Sequence, residues 1–91
     1  MPMVKETNSN FASFSGSPSS SSVYEKLPFD FKATNVKILV TAGSLDVSLN
    51  GTDATPNMVL AVGQYDFPGL EINALFVKQT GATAQILAWT N

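Results

Sequence analysis

The pattern of apolar and polar residues divides the chain into a serine-rich beginning and a strand-like remainder. The segment from Thr7 to Ser22 holds eight of the ten serines, and its only bulky apolar residues are Phe11 and Phe14. Such a segment buries too little apolar surface to offset the entropy lost on ordering. We therefore predict an extended N-terminal arm over residues 1–26 and a folded domain over residues 27–91.

Short apolar runs separated by turn residues follow the arm. Leu45, Val47 and Leu49 alternate with polar residues, which is the two-residue period of a strand with one buried side. Comparable runs cover 27–32, 36–41, 58–62, 64–67, 72–79 and 83–90. The sequence predicts an all-β domain, a small antiparallel β-sandwich or barrel of about six or seven short strands.

Two of the gaps between runs predict tight hairpins. Ala42 and Gly43 separate the runs 36–41 and 44–49, and Gly81 lies between 72–79 and 83–90. Glycine supplies the positive φ that short β-turns require. We expect each pair of runs to fold back on itself, and we expect the second pair to close the domain.

The composition limits how such a small domain reaches stability. The chain has 91 residues, of which 44% are hydrophobic, and it contains neither cysteine nor histidine. Disulfides, thiolate chemistry, a Ser-His-Asp triad and the usual zinc, copper and haem ligands are thereby excluded. Small domains without such cross-links commonly gain the missing burial by association, so we predict a homo-oligomer without a cofactor.

The charges argue against two classes of partner. The net charge is −2, and all five positive charges are scattered lysines. Nucleic-acid binding favours clustered arginines and a basic stripe, so we predict no nucleic-acid partner. No apolar run approaches the roughly 20 residues of a membrane span, and the first residues lack the apolar core of a signal peptide. We expect no membrane partner and synthesis in the cytoplasm.

The carboxylates do not form a convincing reactive group. Asp46 and Asp53 bracket one turn, and Asp66 and Glu71 bracket another. Aspartate is common at turns because its side chain bonds nearby backbone amides. The spacing of Asp46, Asn50 and Asp53 also departs from that of an EF-hand calcium loop. We predict no catalytic residue, no metal ligand and no enzymatic activity.

The bulky residues of the arm are the first candidates for partner contacts. They are spaced through an otherwise polar, compliant segment, as anchors that enter pockets on neighbouring molecules would be. We predict that four of them bind a partner: Phe11, Phe14, Val23 and Tyr24.

A second group is predicted to lie in the core or at an interface: Leu27, Phe29, Phe31, Phe76 and Trp89. Leu27, Phe29 and Phe31 either form the first core strand or continue the row of anchors, and their two-residue period favours the core. Trp89 and Tyr65 either pack inside or form an aromatic platform for sugar stacking, and the general tendency of aromatic residues favours packing.

Three stretches of the body follow a pattern found elsewhere: VKILVTAGSLDVSLNG at 36–51, MVLAVGQYDFPGL at 58–70 and INALFVKQTGATAQILAWTN at 72–91. The shared elements are the VSLNG strand end, Val62-Gly63 before an aromatic residue, and the closing segment FVKQTGATAQILAW. From Val36 to Trp89 the chain resembles small β-sandwich structural proteins of tailed bacteriophages.

The resemblance implies a virion location and a structural, non-enzymatic role. The main expectation is a capsid decoration or cement protein, often trimeric, whose partner is the major capsid or neck protein and whose arm lies across neighbouring subunits. Two alternatives stay open. One is a head-tail connector or tail component, and the other is a glycan-binding module of a fibre, which would expose Trp89 or Tyr65 beside polar groups.

Overall fold

A computed structural model describes residues 3–7, 10–18, 22–50 and 57–90. The chain is all-β and antiparallel, which confirms the predicted fold class. Its strands are β1 (Val4–Thr7), β2 (Phe11–Gly16), β3 (Glu25–Ser48), β4 (Met58–Leu60) and β5 (Gly63–Trp89). They are hydrogen-bonded in the order β1-β2-β5-β3-β4. The described ranges contain no helix with the length and apolarity needed to cross a membrane.

The two long strands bend and so contribute to two layers. β3 has 24 residues and β5 has 27. Twenty-four extended residues would reach about 80 Å, whereas the longest dimension of the molecule is 32 Å. One layer contains β1, β2, residues 84–89, residues 35–40 and residues 63–68, in that order. The other layer contains residues 25–28, residues 74–77, residues 45–48 and β4.

The hydrophobic core lies between these two layers. Ile38 and Ile86 from the first layer and Leu45 from the second are fully buried and belong to one cluster. The rings of Phe14 and Phe29 meet across the core with their centroids 6.0 Å apart. This arrangement is a small two-layered β-sandwich, as the alternation of apolar residues predicts.

Both hairpin predictions are wrong, because the predicted pairs of runs are continuous strands. Residues 35–48 of β3 pair with residues 76–89 of β5 in a single antiparallel ladder, here called the central ribbon. The ladder starts at the pair Asn35 and Trp89 and ends at the pair Ser48 and Phe76. Gly43 and Gly81, the glycines expected to form turns, do have positive φ angles. These angles allow the ribbon to bend from one layer into the other.

The serine-rich segment also differs from the predicted arm. β1 pairs with β2, and β2 pairs with residues 84–89 of the central ribbon. Ala12 and Phe14 point into the core, while Ser13 and Ser15 alternate with them. A strand that is covered on one side needs only every second residue to be apolar, so a serine-rich sequence is compatible with it. Residues 1–2, 8–9 and 19–21 of the predicted arm lie outside the described residues.

Candidate functional site

The residues predicted to anchor the arm have different surroundings. Phe14 is 1% exposed and packs in the core of its own domain, so it is not a contact for a neighbouring molecule. Phe11 and Val23 are 36% and 66% exposed. Tyr24 is half-buried against residues of the same chain. Only Phe11 and Val23 therefore present substantial side-chain surface in this group.

The second predicted group divides between the core and the outer faces of the sandwich. Leu27 and Phe29 are buried in the core, and Phe31 is half-buried against it with its ring centroid 6.0 Å from that of Phe29. Phe76 and Trp89 are half-buried outside the core cluster. The packing of Leu27, Phe29 and Phe31 agrees with the core strand that their alternation predicts.

Tyr24 belongs to a polar cluster on the outer face of the second layer. Its hydroxyl donates a hydrogen bond of 2.8 Å to Oδ1 of Asp46, and the Asn57 amide donates to the same oxygen at 2.7 Å. The Lys78 ammonium lies 3.8 Å from Oδ2 of Asp46 and 4.7 Å from the centroid of the Tyr24 ring. Burial, together with the hydrogen bond to Asp46 and its negative charge, raises the pKa of Tyr24 to about 12.

This cluster fastens the segment before β3 to the sheet. Lys78 pairs with Asp46 across the central ribbon, while Val77 pairs with Glu25 on the opposite side of the same strand. Tyr24 therefore reaches over β5 to contact Asp46. The tyrosine stays protonated at neutral pH and the carboxylate has three partners. The cluster therefore has a structural role and is not an acid–base pair. No local pattern in the sequence predicts this contact, since residues 24 and 46 are brought together only by the tertiary fold.

Trp89 lies on the outer face of the first layer. Ile86 and Ala88 are buried, so the alternate residues Leu87 and Trp89 project from the other side of the strand. Trp89 is flanked by Phe11 on one neighbouring strand and by Asn35 on the other.

A shallow cavity of about 210 Å³ adjoins the Trp89 side chain. Its lining includes Asn35, Asp66, Pro68 and Trp89. An indole beside an amide and a carboxylate offers both a flat apolar surface and hydrogen-bonding groups.

Tyr65, the other candidate for sugar stacking, makes its contacts within its own domain. Its ring is half-buried and packs against the core, and its hydroxyl donates a hydrogen bond of 2.9 Å to the Ala61 carbonyl. Tyr65 and Trp89 therefore differ in their surroundings. Of these two residues, Trp89 is the one that lies beside polar side chains at a cavity.

A larger cavity of about 390 Å³, here called the lysine cavity, adjoins residues 25–28 at one edge of the second layer. It is lined by Lys26, Pro28, Asp30, Phe31, Lys32 and Asn73. The carboxylate of Asp30 accepts a hydrogen bond of 2.9 Å from the Lys5 ammonium. Asp30 also has a φ of 69°, which is uncommon for a residue with a side chain.

An exposed apolar patch, here called the edge patch, consists of Met58, Val59 and Val62. Their side chains are 41%, 64% and 61% exposed. β4 pairs with β3 along one side, and no other strand of the described ranges pairs with it. The edge patch thus combines apolar side chains with the backbone edge of a short strand.

The carboxylates show no catalytic or metal-binding arrangement within the described ranges. Asp53 lies outside them, and Asp66 and Glu71 are exposed on the surface. Asp46 is bound by Tyr24, Asn57 and Lys78. No group of three or more acidic side chains in the described ranges is placed to hold a metal ion.

Comparisons with known proteins find several solved structures similar to this chain, among them the two described below. No family model and no curated protein matches it. A protein of unknown function from Vibrio parahaemolyticus aligns over 97% of this chain and 98% of its own, with 12% identity and a TM-score of 0.45. CapF, solved with the inhibitor 3-isopropenyl-tropolone, aligns over 96% of this chain, which spans 30% of CapF, with 11% identity and a TM-score of 0.36. Neither likeness is strong enough to carry an argument about function.

Proposed function

We propose that the chain is a non-enzymatic assembly protein that forms a homo-oligomer through the edge patch. The observation that carries this proposal is the exposure of Met58 and Val59 on the edge strand β4 and of Val62 two residues after it. Exposed sheet edges are usually protected by charged residues, and residues 58–62 contain none. Burying this surface against a second copy removes apolar area from water and covers an open strand edge.

The size and chemistry of the domain support the same proposal. The chain has no cysteine for disulfides and no histidine for a structural metal site. A domain of this length buries only about 60–65% of the surface exposed by its unfolded chain. Area shared between copies supplies the additional burial.

The sequence resemblance is the basis for proposing where the oligomer is located. We assign the chain to the virion of a tailed bacteriophage, as a capsid decoration or cement protein bound to the major capsid or neck protein, with a trimer as the favoured state. A head-tail connector or tail component is the alternative within this class. Phe11 and Val23, with 36% and 66% exposure, are the proposed contacts of the N-terminal segment.

The oligomer is tested by measuring solution mass at several concentrations by light scattering. Wild type is expected to form an oligomer, and Val59→Asp and Val62→Asp are expected to shift it to monomer. Val4→Asp is the matched control, because Val4 is 58% exposed but lies in β1, at the opposite end of the strand order from β4. A wild type that stays monomeric at high concentration, or patch variants with the mass of wild type, would refute the proposal.

The virion role needs a separate measurement. Particles purified from a lysate of the phage that encodes the chain are analysed by quantitative mass spectrometry. A decoration protein is expected at a copy number comparable with that of the major capsid protein, and a connector or tail component at a few to tens of copies. Absence of the chain from purified particles contradicts both assignments.

Glycan binding is a second candidate, favoured by one observation. Trp89 lies beside Asn35 and Asp66 at a cavity on the outer face, which is the arrangement that a sugar-stacking site requires. A glycan array with the labelled full chain tests it, and Trp89→Ala is expected to abolish any signal. Phe76→Ala, another half-buried outer aromatic residue, is the control. No binding by wild type, or equal loss in both variants, removes this candidate.

A further inference from the structure

We propose that the lysine cavity binds a small organic phosphate, with Lys26 and Lys32 holding the phosphate group. This site is separate from the proposed oligomer interface. The lysine cavity adjoins the strand 25–28 at one edge of the second layer, whereas the edge patch includes β4 at the other edge.

The charges around the cavity favour an anion. Neither Lys26 nor Lys32 forms an ion pair with a described residue, although both line the cavity. Among the described residues that line the cavity, Asp30 is the only carboxylate, and Lys5 binds it at 2.9 Å. Three lysines and one aspartate leave a local charge of 3 − 1 = +2 in a chain whose net charge is −2. A phosphate group would supply the missing counter-charge, for which lysine is a common partner.

A backbone bend in β3 lies between the two lysines that line the cavity. Between Pro28 and Ala33 the pairing with β5 shifts, so the strand leaves its straight course. Asp30 stands within this bend with a φ of 69°. Residues other than glycine seldom adopt this left-handed conformation, and such positions concentrate at functional sites. Asp30 lies between Lys26 and Lys32 in the chain, and all three residues line the same cavity.

The other lining residues indicate an organic phosphate rather than a bare ion. Pro28 and Phe31 supply apolar surface, and the Asn73 amide supplies both a donor and an acceptor. The volume of about 390 Å³ lies in the range of small-molecule sites and far exceeds the needs of one phosphate group. We infer that the carbon part of the ligand, such as a ring, lies against Phe31 and Pro28.

The test measures binding of two probes, inorganic phosphate and phenyl phosphate, to the full chain by calorimetry at low salt. Phenyl phosphate is expected to bind more tightly, because its ring gains the apolar contacts. Lys26→Ala and Lys32→Ala are each expected to weaken its binding about tenfold. Lys37→Ala is the matched control, since it removes the same charge from a strand of the first layer.

Asp30→Asn provides a second variant with an effect of opposite sign. Asparagine tolerates the left-handed conformation, and the change removes the negative charge that Asp30 contributes to the lining. Binding of phenyl phosphate is therefore expected to tighten severalfold, which a purely structural role for Asp30 would not produce. Urea denaturation of every variant checks that the fold is retained.

Three results would overturn the proposal. They are no binding of either probe at millimolar concentration, equal weakening by Lys37→Ala and Lys26→Ala, or weaker binding in Asp30→Asn. The oligomer proposal is judged separately, because Val59→Asp is expected to leave phosphate binding unchanged.

Discussion

Gly81 pairs with Ser44, directly beside Gly43, and the two glycines have nearly equal positive φ angles of 67° and 65°. They stand on opposite strands of the central ribbon, where it passes from one layer of the sandwich to the other. Residues with a side chain rarely adopt such angles. This pair of glycines therefore permits the bend that forms the core.

Replacing Gly81 with valine is expected to lower the free energy of unfolding by about 1–2 kcal/mol, because valine disfavours positive φ. A Cβ at this position meets no atom within 4 Å, so the cost arises in the backbone and not from a clash. Gly81→Asn, which tolerates positive φ, is the control and is expected to lose less. Urea denaturation compares the two, and equal losses would contradict the backbone explanation.

Phe14→Ala is expected to destabilise the isolated chain by about 3–5 kcal/mol, as loss of a buried phenylalanine does. Phe14 is 1% exposed and meets Phe29 across the core. The control is Phe11→Ala, which removes a ring that is 36% exposed and is expected to cost about 1 kcal/mol or less. Thermal or urea unfolding gives both values. A fully stable Phe14→Ala chain would restore the prediction that this segment is an arm outside the domain.

The hydrogen bond from Tyr24 to Asp46 predicts a stability change at alkaline pH. Tyr24 has its pKa raised from 10.0 to about 12 by burial and by Asp46. The folded state therefore holds this proton more tightly than the unfolded state. The resulting stabilisation is fully present below pH 10.0 and is lost as the pH rises through about 12.

Absorbance near 295 nm follows the Tyr24 phenolate, and urea midpoints follow the stability across the same pH range. Tyr24→Phe is expected to remove the late phenolate signal and to cost about 1 kcal/mol at neutral pH through the lost hydrogen bond. Asp46→Asn is expected to lower the pKa of Tyr24. An unchanged titration in Asp46→Asn would disprove the coupling.

Trp89 is the single tryptophan, so its fluorescence reports on the outer face of the first layer. Phe11 is its cross-strand neighbour. Phe11→Ala is expected to shift the emission to longer wavelength and to increase quenching by acrylamide, because neighbouring rings on one face shield each other. Phe76→Ala lies on the other layer and is expected to leave the emission unchanged. Identical spectra for Phe11→Ala and wild type would show that the two rings do not touch.

The candidate sites differ in how far their residues could be predicted. Leu87 and Trp89 share a face in the structure, as their spacing indicates. Which side of the sheet they occupy could not be read from a strand whose alternate residues are both apolar. The contact between Tyr24 and Asp46 and the ion pair between Lys5 and Asp30 join residues distant in sequence, and no local pattern announces them.

Local patterning determined the class of this protein. Alternation in stretches such as Leu45 to Leu49 requires strands, and it assigned Leu45 and Val47 to the buried side, because successive side chains in a strand point to opposite faces. The lack of cysteine and histidine likewise excluded cross-links and common metal sites without reference to the fold.

Only the tertiary structure decided how the strands connect and which chain segments share the core. A glycine at positive φ serves equally in a hairpin and in a bend of a continuous strand, so Gly43 and Gly81 have the same local meaning in both topologies. The choice depends on which distant segment satisfies the backbone N–H and C=O groups of each strand. The same long-range pairing drew the serine-rich β2 against β5 and placed Phe14 in the core.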